Sequence, residues 1–237
     1  MNTPNCAKSE SPADPFCDPV KLAAVGRWVC SQLDANPAAE RVDTPDADMF
    51  LVHGFLSRKD CHALRRIVNQ KAVPSTLYKG TENKSFRTSF THHFDVDDPL
   101  TRSLETYISD ILGIDDLHSE PMQGQRYQVG QQFRHHHDFF HIGESYWQNE
   151  AKHGGQRTWT AMVCLHEAKK GGQTDFPDLG LEFKLPAGSL LTWNNMTSDG
   201  QPNMKTLHAG MAVESGIKHV ITKWYRQEPW RLLNNFG

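Results

Sequence analysis

The chain has 237 residues, of which 38% are hydrophobic and 22% charged, with a net charge of −3. That is enough apolar content for one packed domain and argues against wholesale disorder. The slightly acidic balance excludes the basic excess expected of a nucleic-acid-binding protein.

Residues 1–17 are polar and proline-bearing and read as a disordered tail. Asp18-Pro19 then supplies an N-cap and a proline for a first helical turn, and Leu22, Val25, Val29 and Leu33 follow at helical spacing. Met49 to Phe55 reads as a strand. Ser57 caps a second helix, with Asp60 three residues on and Cys61, Leu64, Ile67 and Val68 as its buried stripe. Lys79 to Lys84 reads as a polar turn and Phe86 to Phe94 as a strand. Asp97-Asp98-Pro99 opens a third helix that Gly113 closes.

After Asp115 the pattern turns to β. Strands are expected near Pro121–Val129, Arg157–Glu167, Leu181–Leu185, Ser189–Asn194, His208–Val213 and Lys218–Arg226, parted by Gly, Pro, Asn and Asp turns. Many short strands at such spacing predict a sandwich or barrel. The expected architecture is α+β, mainly β: residues 18–118 as a helical and strand support region, and 119–230 as the barrel core of one integrated domain. Five scattered cysteines, Cys6, Cys17, Cys30, Cys61 and Cys164, form no CxxC pair and point to free thiols in a reducing, cytoplasmic setting. No signal-like or membrane-spanning apolar run is visible, so no membrane association is expected.

The chemistry concentrates in Tyr127 to Phe140, YQVGQQFRHHHDFF. In an extended chain, residues two apart share a side, so His136 and Asp138 lie on one face and His135 and His137 on the other. His208, at the start of a later strand, can bring a second imidazole to His136 and Asp138. Two imidazoles and one carboxylate suit ferrous iron with open coordination positions. His135 and His137 with a distant histidine make the competing, cupin-like arrangement.

Five ordered blocks extend the pattern: Arg126 to Phe140, RTWTAMVCL from Arg157, GGQTDFP from Gly171, LPAGSLLTWNN from Leu185, and LHAGMAVESGIKHVITKWYR from Leu207. Together they resemble the iron(II)/2-oxoglutarate dioxygenases, most closely the prolyl 4-hydroxylase branch. The resemblance implies a double-stranded β-helix, or jelly roll, braced by N-terminal helices. It implies Fe(II), 2-oxoglutarate, O2 and ascorbate as cofactors and co-substrates, with His136, Asp138 and His208 as metal ligands. Lys218 falls on the anchor for the distal carboxylate of 2-oxoglutarate, with Tyr127 and Thr174 beside it. Arg157 and Trp224 fall near the substrate. The implied reaction is hydroxylation of a C–H bond, releasing succinate and CO2, on a prolyl residue of a peptide or protein. The alternative is a free amino acid or other small molecule. Phe133 and Cys164 stand where many members carry tyrosine, and Gly143 to Gly155 reads as an extended loop over the site, a lid or substrate-selecting element. The paired C-terminal arginines of the nucleic-acid demethylases are absent. Oligomeric state is not legible.

Overall fold

The computed structural model describes residues 14, 16–76 and 85–236. In chain order, helix α1 (Pro19–Asp34) leads into strands β1 (Ala39–Arg41) and β2 (Met49–Val52), then helix α2 (Arg58–Lys71). Strands β3 (Val73–Pro74) and β4 (Phe90–His93), helix α3 (Pro99–Leu112), and strands β5 (Gln123–Tyr127) and β6 (Phe133–His136) follow. A short helix α4 (Trp147–Lys152) precedes β7 (Arg157–His166), β8 (Lys170–Gly171), β9 (Thr174–Phe176), β10 (Leu181–Phe183) and β11 (Leu190–Asn194). Strands β12 (His208–Gly210), β13 (Val213–Ser215) and β14 (Lys218–Arg226) and helix α5 (Trp230–Leu233) complete the order.

The three long helices begin where local chemistry satisfies their free N–H groups. Asp18 accepts from the N–H of Val20 and Lys21, Ser57 from Asp60, and Asp98 from Thr101, and such a cap stabilises a helix by about 1 kcal/mol. Gly113 ends α3 at φ 66°, a left-handed conformation that glycine adopts without a Cβ clash.

Eight strands pair in the order β1-β2-β11-β7-β14-β5-β4-β3, four in the order β10-β9-β12-β6, and β13 pairs with β8. The strands of β7 and β14 are buried on both faces, and the period-two alternation sorts their side chains. Trp159, Ala161, Val163, Leu165, Ile221 and Tyr225 turn outward into one apolar cluster with Val29, Leu64, Val68 and Ile108 of the helices. Met162, Cys164 and Val220 turn inward and pack with Tyr127, Phe176 and Trp193 between the two sheets. Full burial of each such side chain stabilises by roughly 1.5–3 kcal/mol, so the helices hold the large sheet from behind. Gly124 permits the close seat of α2 on β5: a Cβ there would come within 2.4 Å of Val68 and 2.8 Å of Phe94. This is the mainly-β jelly roll with supporting helices that the sequence led us to expect.

The structure corrects several local expectations. The strand expected near Pro121–Val129 is Gln123–Tyr127, and after a turn through Gly130 at φ 80° a further strand, β6, carries His135 and His136. The His208–Val213 strand is split into β12 and the start of β13, and the Phe86–Phe94 strand is reduced to Phe90–His93. The tail to Cys17 is tied down at its end: Asp14 accepts from the Trp147 indole at 2.8 Å and the Phe16 carbonyl accepts from the Gln156 N–H at 3.1 Å. Most of that tail, and the Lys79–Lys84 turn, lie outside the described residues. The extended loop at 143–155 contains α4, whose Trp147, Glu150 and Ala151 are buried.

Candidate active site

Pairing of β12 with β6 sets His208 directly opposite His136. Asp138, two residues beyond His136, closes the group: its Oδ1 is 3.6 Å from His136 Nε2 and its Oδ2 is 3.7 Å from His208 Nε2. The three potential ligand atoms lie within 4.8 Å of one another, near enough to serve one ion. Each histidine is oriented by backbone. His136 Nδ1 donates to the Arg134 carbonyl at 2.8 Å and His208 Nδ1 to the Thr206 carbonyl at 3.0 Å, a tautomer that leaves both Nε2 lone pairs free.

Burial, followed by the neighbouring His208, pushes the His136 pKa down to about 3, so this imidazole is neutral. Burial alone would raise the Asp138 carboxyl, but His208, His136 and Arg157 outweigh it and leave it below its ordinary range. Thr160 Oγ1 donates to Asp138 Oδ2 at 2.8 Å, and Asn195 Nδ2 donates to that hydroxyl at 2.9 Å. Phe133 stacks on His136 with ring centroids 3.6 Å apart, and Phe176 stacks on His208 at 5.2 Å. Backbone-oriented imidazoles, an ionised carboxylate and apolar walls fit a ferrous ion with open positions.

Next to this group lies a narrow chamber of about 40 Å³, also bounded by Lys218, Thr174, Tyr127 and Trp224. Lys218 reaches it because it opens β14 opposite Tyr127 and alternates inward with Val220, Thr222 and Trp224. Its Nζ donates to Thr174 Oγ1 at 3.2 Å and stands 5.8 Å from the Tyr127 ring centroid. No carboxylate pairs with it among the described residues, and burial pushes its pKa down to about 8. A buried ammonium of this kind is suited to an incoming carboxylate. Cys164 lies near Lys218 but turns its thiol away, donating to the Leu185 carbonyl at 3.2 Å, and burial pushes that thiol up to about 11.

The chamber opens into a cleft of about 650 Å³ lined by Arg87, Phe133, Phe140, Tyr146, Arg157 and Trp224. Arg157 grips Glu120 through Nε at 2.6 Å and Nη2 at 2.7 Å and lies 4.3 Å over the Trp224 ring. Arg226 shares Glu120 at 2.8 Å and binds the Glu150 carboxylate of α4 at 3.0 Å. Burial would raise Glu120, but Arg157 and Arg226 prevail and hold it at about 2. The expected lid is therefore anchored from beneath, with Tyr146 at the cleft wall. His135 and His137 do not converge: one binds Asp175 at 2.8 Å, the other the Met204 carbonyl at 3.0 Å. His136, Asp138 and His208 are the one such metal-capable cluster among the described residues.

Sequence reading missed Thr160, Asn195, Glu120, Arg226, Glu150 and Arg87. Thr160 carried a signal, a polar residue at an inward position of an apolar strand. The partners of Glu120 lie far along the chain, and nothing local announces them.

A family model described as the 2OG-Fe(II) oxygenase superfamily matches residues 122–226. Prolyl 4-hydroxylase 5 of Arabidopsis thaliana is 30% identical over 206 residues, covering 76% of this chain and 68% of that protein. Prolyl 4-hydroxylase 1 of the same plant is 29% identical over 201 residues, covering 76% and 69%. The crystal structure of the viral collagen prolyl hydroxylase vCPH from Paramecium Bursaria Chlorella virus-1, a 2OG complex, superposes with TM-score 0.58 at 25% identity, covering 82% of this chain and 97% of that one.

Proposed function

The chain belongs to the prolyl 4-hydroxylase-like family of 2-oxoglutarate/Fe(II) oxygenases, and on that premise we propose that it hydroxylates a prolyl residue in a peptide or protein. It is a dioxygenase that uses Fe(II), 2-oxoglutarate and O2. The prolyl target is supported by what its relatives are named for and by a cleft of about 650 Å³ beside the candidate metal ligands.

His136, Asp138 and His208 would hold the iron, and the observation that carries this reading is their convergence beside a buried ammonium with no carboxylate partner among the described residues. Bound iron and 2-oxoglutarate supply the oxidising power, coupling O2 reduction and loss of CO2 to insertion of one oxygen into a C–H bond. The residues do the rest. Lys218 would pair with the distal carboxylate of the co-substrate, and the hydroxyls of Thr174 and Tyr127 would be placed to complete its hydrogen bonds. Thr160 holds Asp138 at one oxygen and leaves the other for the metal. Phe133, Phe176 and Trp193 keep water from the ligand imidazoles. Glu120 fixes the direction of Arg157, and Arg157 with Trp224 forms the wall against which the substrate rests.

Ascorbate, which would keep the metal ferrous, follows from the family resemblance and is tested by omitting it from the assay. A reducing, cytoplasmic setting is supported by the free thiols of Cys17, Cys30, Cys61 and Cys164. No helix among the described residues is long and apolar enough to cross a membrane.

The test is succinate release across proline-containing peptides and free proline, with mass spectrometry for the gain of one oxygen atom. Iron- and 2-oxoglutarate-dependent gain on a prolyl peptide is expected. Gain on other residues alone would remove the prolyl assignment and leave the dioxygenase.

A further inference from the structure

Arg87 stands at the threshold between the inner chamber and the cleft and lines both. It is held there by a bridge to Phe133, whose ring lies 4.8 Å beneath its guanidinium. Among the described residues its hydrogen bonds run through Nη2 alone, to Thr91 Oγ1 at 3.1 Å and, at 3.5 Å, to Gln123 Oε1. Nη1 takes part in none of them, and Nε is buried with no partner. No carboxylate pairs with Arg87 among the described residues, whereas Arg157, Arg226 and Arg231 each hold a glutamate. Burial lowers its pKa, a sign that its charge is incompletely solvated.

Charge counting leaves this cation over. Asp138 is the carboxylate whose charge reaches Arg87 without an ion pair; once an iron is held, the charges of Asp138 and a doubly ionised 2-oxoglutarate are matched by those of the divalent iron and Lys218. Among the described residues lining the cleft, Asp138 is the single carboxylate. A partly dehydrated guanidinium beside the reacting centre, with donors unused and no ion-paired carboxylate among the described residues, matches the planar fork of a carboxylate.

We propose that Arg87 is the anion anchor of the cleft and takes a carboxylate that the substrate carries beside the C–H bond to be oxidised. This deepens the reading given above and rests on it. The carboxylate has two sources: an aspartate or glutamate flanking the target residue in a peptide, or the α-carboxylate of a free or C-terminal amino acid.

The experiment uses peptides of one length that differ only next to the target proline, with Asp, Asn or Lys there, alongside free L-proline and L-prolinamide. Binding is read by competition on the full chain loaded with Mn(II) and 2-oxoglutarate without oxygen, and turnover is read separately with Fe(II). The Asp peptide is expected to bind about tenfold more tightly than the Asn peptide, with the Lys peptide weakest, an ordering set by one charge-assisted hydrogen bond. In Arg87→Gln that ratio falls to about one, while Arg87→Lys retains part of it, as expected from charge without the planar fork. Dialysis of 2-oxoglutarate and a thermal melt establish that both variants are folded and loaded. Preference for proline over prolinamide, with no preference among the peptides, assigns the α-carboxylate as the source. Equal binding throughout, or a preference that survives Arg87→Gln, overturns the anchor. A companion set with Ala in place of the proline separates the two readings. Charge preference without turnover of any prolyl compound removes prolyl hydroxylation and keeps the anchor. Turnover without charge preference does the reverse.

Discussion

The inner chamber and the outer cleft share Phe133, Trp224 and Arg87, yet they are held by different means. The chamber is set by strand register and backbone: His208 faces His136 across a ladder, Lys218 faces Tyr127, and both imidazoles are aimed by main-chain carbonyls. The cleft is set by long side chains from distant segments, with Arg226 joining Glu120 and Glu150 beneath it. A ladder tolerates side-chain change because its geometry is in the backbone. A buried ion network fails when one member is lost, since the others are left as uncompensated charge. The chamber should therefore lose chemistry without losing its shape, and the cleft should lose shape first.

The sharpest test of that contrast is Asp138→Ala or His208→Ala. Each should lower kcat/KM by on the order of 10³-fold or more, about 4 kcal/mol, with the thermal melt close to the parent. A variant that turns over 2-oxoglutarate at the parent rate would remove that residue from the metal set. Arg226→Met works from the other side. It should destabilise the fold by roughly 3–5 kcal/mol in urea denaturation, while the affinity for 2-oxoglutarate in the still-folded protein changes little.

Lys218→Ala should raise KM for 2-oxoglutarate by roughly 10–100-fold, the worth of a charge-assisted hydrogen bond. The same residue sets a pH dependence. Its free-state pKa lies near 8, and only the protonated form pairs with the carboxylate. KM for 2-oxoglutarate should thus be flat below pH 8 and climb about tenfold per unit above it, measured at saturating peptide. A flat profile to pH 9.5 would break the assignment. Thr160→Val should weaken Mn(II) binding by about 10–100-fold, the usual loss for a partner that orients a metal ligand, with Thr160→Ser restoring most of it. The smallest effect is expected at the rim. Tyr146→Ala should raise KM for a peptide about threefold, a loss of under ~1 kcal/mol as for contacts outside a hot spot, without touching kcat.

Legibility followed the same divide. The caps Asp18, Ser57 and Asp98 announce their helices because each acts on N–H groups within three residues. The alternation through Lys218, Val220, Thr222 and Trp224 announces an inward face, since a strand's period does not depend on its neighbours. The short helix at Trp147 was overlooked because it is stabilised by Asp14 and Arg226 rather than by its own periodicity.

By itself the sequence pointed to a mainly-β barrel with supporting helices, and to His136, Asp138 and His208 as candidate ligands with Lys218 beyond. Only the tertiary structure decided that Glu120 serves Arg157 and Arg226 at once, that Thr160 steadies Asp138, and that Arg87 has no ion-paired carboxylate among the described residues. The reason is physical. Periodicity and capping are short-range properties written into neighbouring residues, whereas the pairing of buried charges depends on which segments the closed barrel brings together.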